Sequence, residues 1–195
     1  GEFKPEKINV ILLLEDMEHM LDVQNITREY LRDKKVEHQR IFLARSDPAM
    51  NYGLISAVLL NKIALQKIQI LSREIGVEFY PIVGVGSAPF RGNLRPQTVE
   101  RTVEEYPGAH TFTIQSAFKY DYPHDEVRMA IRKLQERTSG SPQEIDEERC
   151  LEIIRKYSRE YQRQITELAP VINKVAGYVP TRRKRKLHIG LFGYS

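Results

Sequence analysis

The chain reads as an α/β protein built from strand–helix units, and three observations predict this. Residues 8–14, 39–44 and 78–85 are short, nearly continuous apolar runs, the pattern of parallel strands covered on both faces. Between them, residues 17–33 and 54–75 repeat apolar side chains at helical spacing. Each apolar run also ends abruptly, in acids or in a glycine loop. Strands alternating with helices at this spacing give βα units joined by right-handed crossovers.

In chain order, Ile8-Asn-Val-Ile-Leu-Leu-Leu14 reads as a strand that runs into Glu15 and Asp16, with a helix over 17–33. The second strand, 39–44, runs into Arg45, Ser46 and Asp47, and Pro48-Ala-Met-Asn-Tyr-Gly53 reads as a turn. The helix over 54–75 is closed by Gly76, well placed as its C-cap. A third strand covers 78–85. Residues 96–105 open with a proline near the first helical turn and close at Tyr106-Pro-Gly108. A fourth strand is expected over 111–116. After Tyr122-Pro123 come a charged amphipathic helix over 125–137, a break at Thr138-Ser-Gly-Ser-Pro142 and a long helix over 144–168. This helical insert, about 124–173, precedes a fifth strand at 187–192 and suits scaffold or subunit contact. A complete eightfold barrel takes about 250 residues, so five strands in 195 residues read as one partial barrel domain spanning 1–195, or a smaller open sheet. The chain is expected to be incomplete.

Composition bounds the function. With 195 residues, 41% of them hydrophobic, the chain can bury one sizeable core. No run approaches the roughly 18 apolar residues of a membrane span, so no membrane partner is expected. Gly1-Glu2-Phe3 reads as a cloning scar. The single cysteine, Cys150, excludes an internal disulfide framework and a thiolate zinc site, and fits a reducing, cytoplasmic setting. Much of the net charge of +4 lies in Arg182-Arg-Lys-Arg-Lys186. Such a block suits nucleic acid or a localisation signal. It leads without a break into the strand-like Leu187-His-Ile-Gly-Leu-Phe-Gly193, which favours a solvated or anion-binding loop and no nucleic-acid partner.

Carboxylates at the carboxyl ends of parallel strands are where α/β folds place metal ligands and catalytic groups. Glu15 and Asp47 both sit there. Each alone suits a helix N-cap or first-turn acid; together they point to a shared Mg²⁺ or Mn²⁺, which binds one or two carboxylates and leaves positions open. Asp16 and Glu18 are neighbouring alternatives. Val83-Gly-Val-Gly-Ser-Ala-Pro-Phe-Arg-Gly-Asn-Leu94 matches neither a Walker A loop nor the dinucleotide G-x-G-x-x-G spacing. As a mobile lid it would bring Arg91 to an anion; a plain surface turn fits the same residues. Gln115 and Lys119 stand near another strand end, where Gln115 is either pocket-facing or a core amide.

The ordered set Leu12-Leu-Leu-Glu-Asp16, Ala44-Arg-Ser-Asp-Pro-Ala-Met-Asn-Tyr-Gly53, Gly86-Ser-Ala-Pro-Phe-Arg-Gly92, Thr113-Ile-Gln-Ser-Ala-Phe-Lys-Tyr-Asp-Tyr-Pro123 and Pro180-Thr-Arg-Arg-Lys-Arg-Lys186 resembles archaeal-type phosphoenolpyruvate carboxylase, in its central portion. The resemblance implies part of a TIM-type (β/α) barrel with an inserted helical segment, Mg²⁺ or Mn²⁺, and a cytoplasmic homo-oligomer, a tetramer. It implies Glu15 and Asp47 as metal ligands and Arg91 as the arginine of the carboxylation step. Arg182, with Arg183 as neighbouring alternative, falls near the substrate anion, and Gln115 in a substrate-binding stretch. Val83 and Val85 stand where the long bacterial and plant enzymes carry His and Arg, a branch difference. The family's catalytic histidine and a phosphate-binding arginine precede the matched segment, and a further arginine follows it, so this chain alone is expected to be inactive.

The implied reaction adds bicarbonate to phosphoenolpyruvate, giving oxaloacetate and phosphate through carboxyphosphate and a metal-bound enolate. Two other classes fit parts of the sequence. One is a different metal-dependent enolate-forming barrel enzyme. The other is a basic nucleic-acid-binding module using residues 182–186, whose affinity would fall steeply with salt.

Overall fold

The computed structural model describes residues 9–179. Four parallel strands, β1 (Leu12–Leu14), β2 (His38–Ala44), β3 (Glu78–Gly84) and β4 (Thr111–Phe112), lie side by side in chain order. Leu14 pairs with Leu43, Ala44 with Gly84 and Val83 with Phe112. The carboxyl ends of β1, β2 and β3 therefore come out on one edge. The strand expected at 187–192 lies outside the described residues.

Both outer strands are shorter than their apolar runs. The ladder of β1 begins at Leu12, and the Val10 carbonyl accepts instead from the Gln39 side chain at 2.8 Å. Beyond β4, Thr113 turns its amide onto the Val83 carbonyl of β3 at 3.2 Å and its hydroxyl onto the carbonyl of Val85, just past β3, at 2.8 Å, and the chain then enters a single π-helical turn at Ala117–Asp121.

The helix expected over 17–33 is two. Asp16 caps α1 (Met17–Leu21), its carboxylate accepting the His19 amide at 2.9 Å, and α2 (Val23–Leu31) restarts at Asp22. The stretch read as a turn after Asp47 is a helix, α3 (Ser46–Tyr52). Pro48 falls in its first turn, where a missing N–H costs nothing. Gly53 ends α3 at φ +88° and opens α4 (Leu54–Ile75). Gly76, left-handed at φ +67°, caps α4 as expected.

The α4 helix corrects the expectation about membrane length, because its 22 residues are long and apolar enough to cross a bilayer. Here it is the core helix. Leu60, Ile63, Ala64, Leu65 and Ile68 are buried in one cluster with Ile41, Leu43 and Val83 of the sheet, and half of its most apolar window is covered. At about 25 cal/mol per Å² of apolar area, burial of each leucine or isoleucine among them stabilises the fold by roughly 1.5–3 kcal/mol.

The α5 helix (Val99–Glu105) follows a 3₁₀ turn at Pro96–Thr98. The two expected later helices are α6 (His124–Glu136) and α7 (Glu147–Ala176). The break between them is tied down, with Arg137 donating to the Ala109 and His110 carbonyls and the Gly140 amide to Pro107. α7 docks on α3 and α4: Ser158 and Ser56 share a 3.0 Å hydrogen bond, and Tyr161 donates to the Met50 carbonyl at 2.7 Å. Cys150 is buried in that packing, its thiol pushed up by burial, and serves as a small core residue.

Candidate functional site at the carboxyl edge of the sheet

Beyond the carboxyl ends of the strands lies a cavity of about 380 Å³. Glu15, directly after β1, Asp47, in the first turn of α3, and Gln115, after β4, all line it. Its floor is apolar, made by Ile11, Leu13 and Phe42, and Thr113 and Arg45 complete the wall. Three residues from three different strand ends meet because the strands are parallel and in sequential order. Register does the rest, since a one-residue slip would turn Phe42 and its neighbours to the other face.

The neighbouring acids separate by role. Asp16 is spent on the α1 cap and on a 2.6 Å contact with His19 Nδ1, and Glu18 is exposed in the first turn of α1. Glu15 and Asp47 are the two that reach the cavity. Asp47 also occupies a first-turn position where the α3 dipole favours a negative charge, so the helix-end and site readings are compatible. Gln115 is half-buried and lines the cavity; it is not a core amide. Lys119 is exposed beside the Tyr120 ring and lies outside the lining.

Arg91 ends a 3₁₀ turn, Pro89–Arg91, in a loop closed on itself. The Gly86 amide donates to the Arg91 carbonyl at 2.7 Å, and Leu94 donates to Gly86 at 2.8 Å. The amides of Arg91 and Asn93 both donate to Ala88. Arg91 is half-buried with its guanidinium beside the Phe90 ring, and it is not among the residues lining the cavity. It stands next to that lining. A β-carbon built on Gly86 would lie 3.1 Å from the Arg91 β-carbon and 2.7 Å from Gln115 Oε1, so the two side chains flank one glycine. Arg182 and Arg183 lie outside the described residues.

Sequence reasoning missed the part played by Arg45. It is buried at 1% exposure, donating through Nε to the Tyr106 hydroxyl at 2.9 Å and through Nη1 to the Phe90 carbonyl at 2.7 Å. Burial pushes the Tyr106 phenol up to about 12, against the opposing pull of the Arg45 charge. An arginine ending an apolar strand was a visible signal; its partners, 45 and 61 residues further on, were not.

Among the described residues no cluster of three or more His, Cys, Asp or Glu is placed to hold a metal. Two carboxylates and an amide around one cavity nevertheless suit a hard divalent ion, which completes its shell with water and substrate oxygens.

These features define an α/β protein with an acid-bearing cavity at the carboxyl edge of a parallel sheet. The family model for phosphoenolpyruvate carboxylase matches residues 1–195, and the chain belongs to that family. It is 58% identical over 195 residues to the phosphoenolpyruvate carboxylase of Methanospirillum hungatei and 60% identical over 195 to that of Methanothermobacter thermautotrophicus. Against that of Pyrococcus furiosus it is 50% identical over 197 residues. All of this chain is covered in each case, and it spans about 40% of the length of these relatives.

Proposed function

We propose that this chain supplies the metal-binding and carboxylation part of the site of a phosphoenolpyruvate carboxylase, on part of a TIM-type barrel in a cytoplasmic homo-tetramer. The observation that carries the reading is the meeting of Glu15, Asp47 and Gln115 on one cavity, in a chain matched to the family from end to end.

Glu15 and Asp47 would hold Mg²⁺ or Mn²⁺, which when bound supplies Lewis-acid stabilisation of negative charge on the enol oxygen. The half-buried setting of the two carboxylates strengthens that attraction over its value in water. Gln115 offers an amide N–H to a substrate oxygen, and Arg182 or Arg183 its guanidinium to the substrate anion. Bicarbonate oxygen attacks phosphorus and the bond from phosphorus to the enol oxygen breaks, leaving an enolate and carboxyphosphate. Carboxyphosphate divides into CO₂ and phosphate. The enolate carbon then adds to CO₂, giving oxaloacetate. The task of Arg91, on its closed loop beside Gln115, is to hold CO₂ against the enolate while water is excluded.

Labelled bicarbonate tests this, supplied with Mg²⁺ and phosphoenolpyruvate to the chain and to the chain extended at both ends to its relatives' length. Label in oxaloacetate from the extended protein is the expected result. Turnover of phosphoenolpyruvate with no label in oxaloacetate would transfer the chain to another enolate-forming reaction.

A further inference from the structure

Arg45 is placed where one side chain touches both halves of the site. It leaves β2 two residues before Asp47 and lines the cavity with it. Its guanidinium reaches the carbonyl of Phe90, the residue preceding Arg91. Arg45 also lines a second cavity of about 340 Å³ behind the loop, with Pro89, Gly92 and Asn93, so it is the partition between the two spaces. Tyr106, wholly buried, holds the other edge of the guanidinium through Nε.

A buried guanidinium is a costly structural element. Taking its charge out of water costs several kcal/mol, and an apolar residue of similar volume would hold the same elements together as well or better. What an apolar residue cannot do is fix a carbonyl at a set distance. Arg45 donates from two edges of one rigid plane, so the Phe90 carbonyl is held in a fixed relation to the end of β2. The loop's own hydrogen bonds then carry that position on to Arg91.

We propose that Arg45 is a positioning residue for the carboxylation step, holding the Arg91 loop in register with the acids at the strand ends. The inference rests on the carboxylase reading. Arg45 touches no reacting atom in this account. Its loss leaves enolate formation possible and impairs capture of CO₂, and an enolate that misses CO₂ takes a proton and leaves as pyruvate.

The test uses the chain extended to its relatives' length, with Mg²⁺, phosphoenolpyruvate and bicarbonate, and measures phosphate, pyruvate and oxaloacetate separately. Arg45→Lys keeps the charge but loses the two-edged plane, and it is expected to shift the pyruvate-to-oxaloacetate ratio by about tenfold or more toward pyruvate, the scale of one charge-assisted hydrogen bond. Phosphate release should fall much less. Tyr106→Phe keeps the Phe90 bond but releases the other edge of the guanidinium, and it is expected to shift the ratio in the same direction by less than Arg45→Lys does. Equal losses of phosphate and oxaloacetate in Arg45→Lys, or a ratio unmoved, would overturn the proposal. An unaltered extended protein that fixes no labelled bicarbonate would overturn the carboxylase reading itself, before any variant is compared.

Discussion

Gly86 and Gln115 are packed so closely that a β-carbon at position 86 would stand 2.7 Å from Gln115 Oε1. The Arg91 β-carbon, 3.1 Å away, would have to give by a few tenths of an ångström, and the Gln115 amide, at the end of a flexible, half-buried side chain, can swing away. It would then leave the cavity wall. Gly86→Ala is expected to lower turnover of the extended enzyme markedly, with only a small fall in its thermal midpoint.

Gly92 behaves differently, although it is only six residues on. Its φ is +109°, and a β-carbon there would lie 2.5 Å from Val85 Cγ1 and 3.3 Å from the Val85 backbone. Strain and collision add, and neither can be relieved by a rotamer change. Gly92→Ala should destabilise the protein by about 1–3 kcal/mol, seen as a lower urea midpoint. An unchanged midpoint would contradict the loop geometry.

Asn61 pins the core helix to the end of β2. Wholly buried, it donates to the Ala44 carbonyl at 3.0 Å and the Ala57 carbonyl at 2.9 Å. Ala44 is the residue from which Arg45 and Asp47 depart, so this bond sets where the site begins. Asn61→Ala is predicted to cost about 1–3 kcal/mol in chemical denaturation. Asn61→Asp should cost more, because it turns a carboxylate onto two carbonyl oxygens in the core.

Tyr106 gives the fold an alkaline limit. Its phenol is raised chiefly by burial to about 12, against about 10 in an unfolded chain. A folded value above the unfolded one means the stabilisation is whole below pH about 10 and is lost as pH rises through about 12. The gap corresponds to at most ~3 kcal/mol. Denaturation of the unaltered protein and Tyr106→Phe across that window should show the steeper loss in the unaltered protein; parallel curves would refute the assignment.

The parts of the fold that were legible in the sequence are those punctuated locally. Gly53 and Gly76 bracket α4, and the expected 54–75 coincides with it. β3 was expected over 78–85 and ends one residue earlier. α3 was hidden because Pro48 and Gly53 are turn residues out of context, while a proline in a first helical turn is harmless. The division at Asp22 and the π-helical turn after Ser116 answer to tertiary packing, which local pattern does not carry. In the site, Glu15, Asp47 and Gln115 were recognisable as strand-end polar residues. Arg45 was not, because its role depends on Phe90 and Tyr106 folding back across it.

The most direct test of the central claim is Mn²⁺ binding, followed by electron paramagnetic resonance, in the extended protein and in Glu15→Gln, Asp47→Asn and Asp16→Asn. The first two variants should each lose about tenfold or more in affinity, while Asp16→Asn, which alters only the α1 cap and the His19 contact, should bind as the unaltered protein does. Equal affinity in Glu15→Gln, Asp47→Asn and the unaltered protein would contradict the account, since the ion would then lie elsewhere.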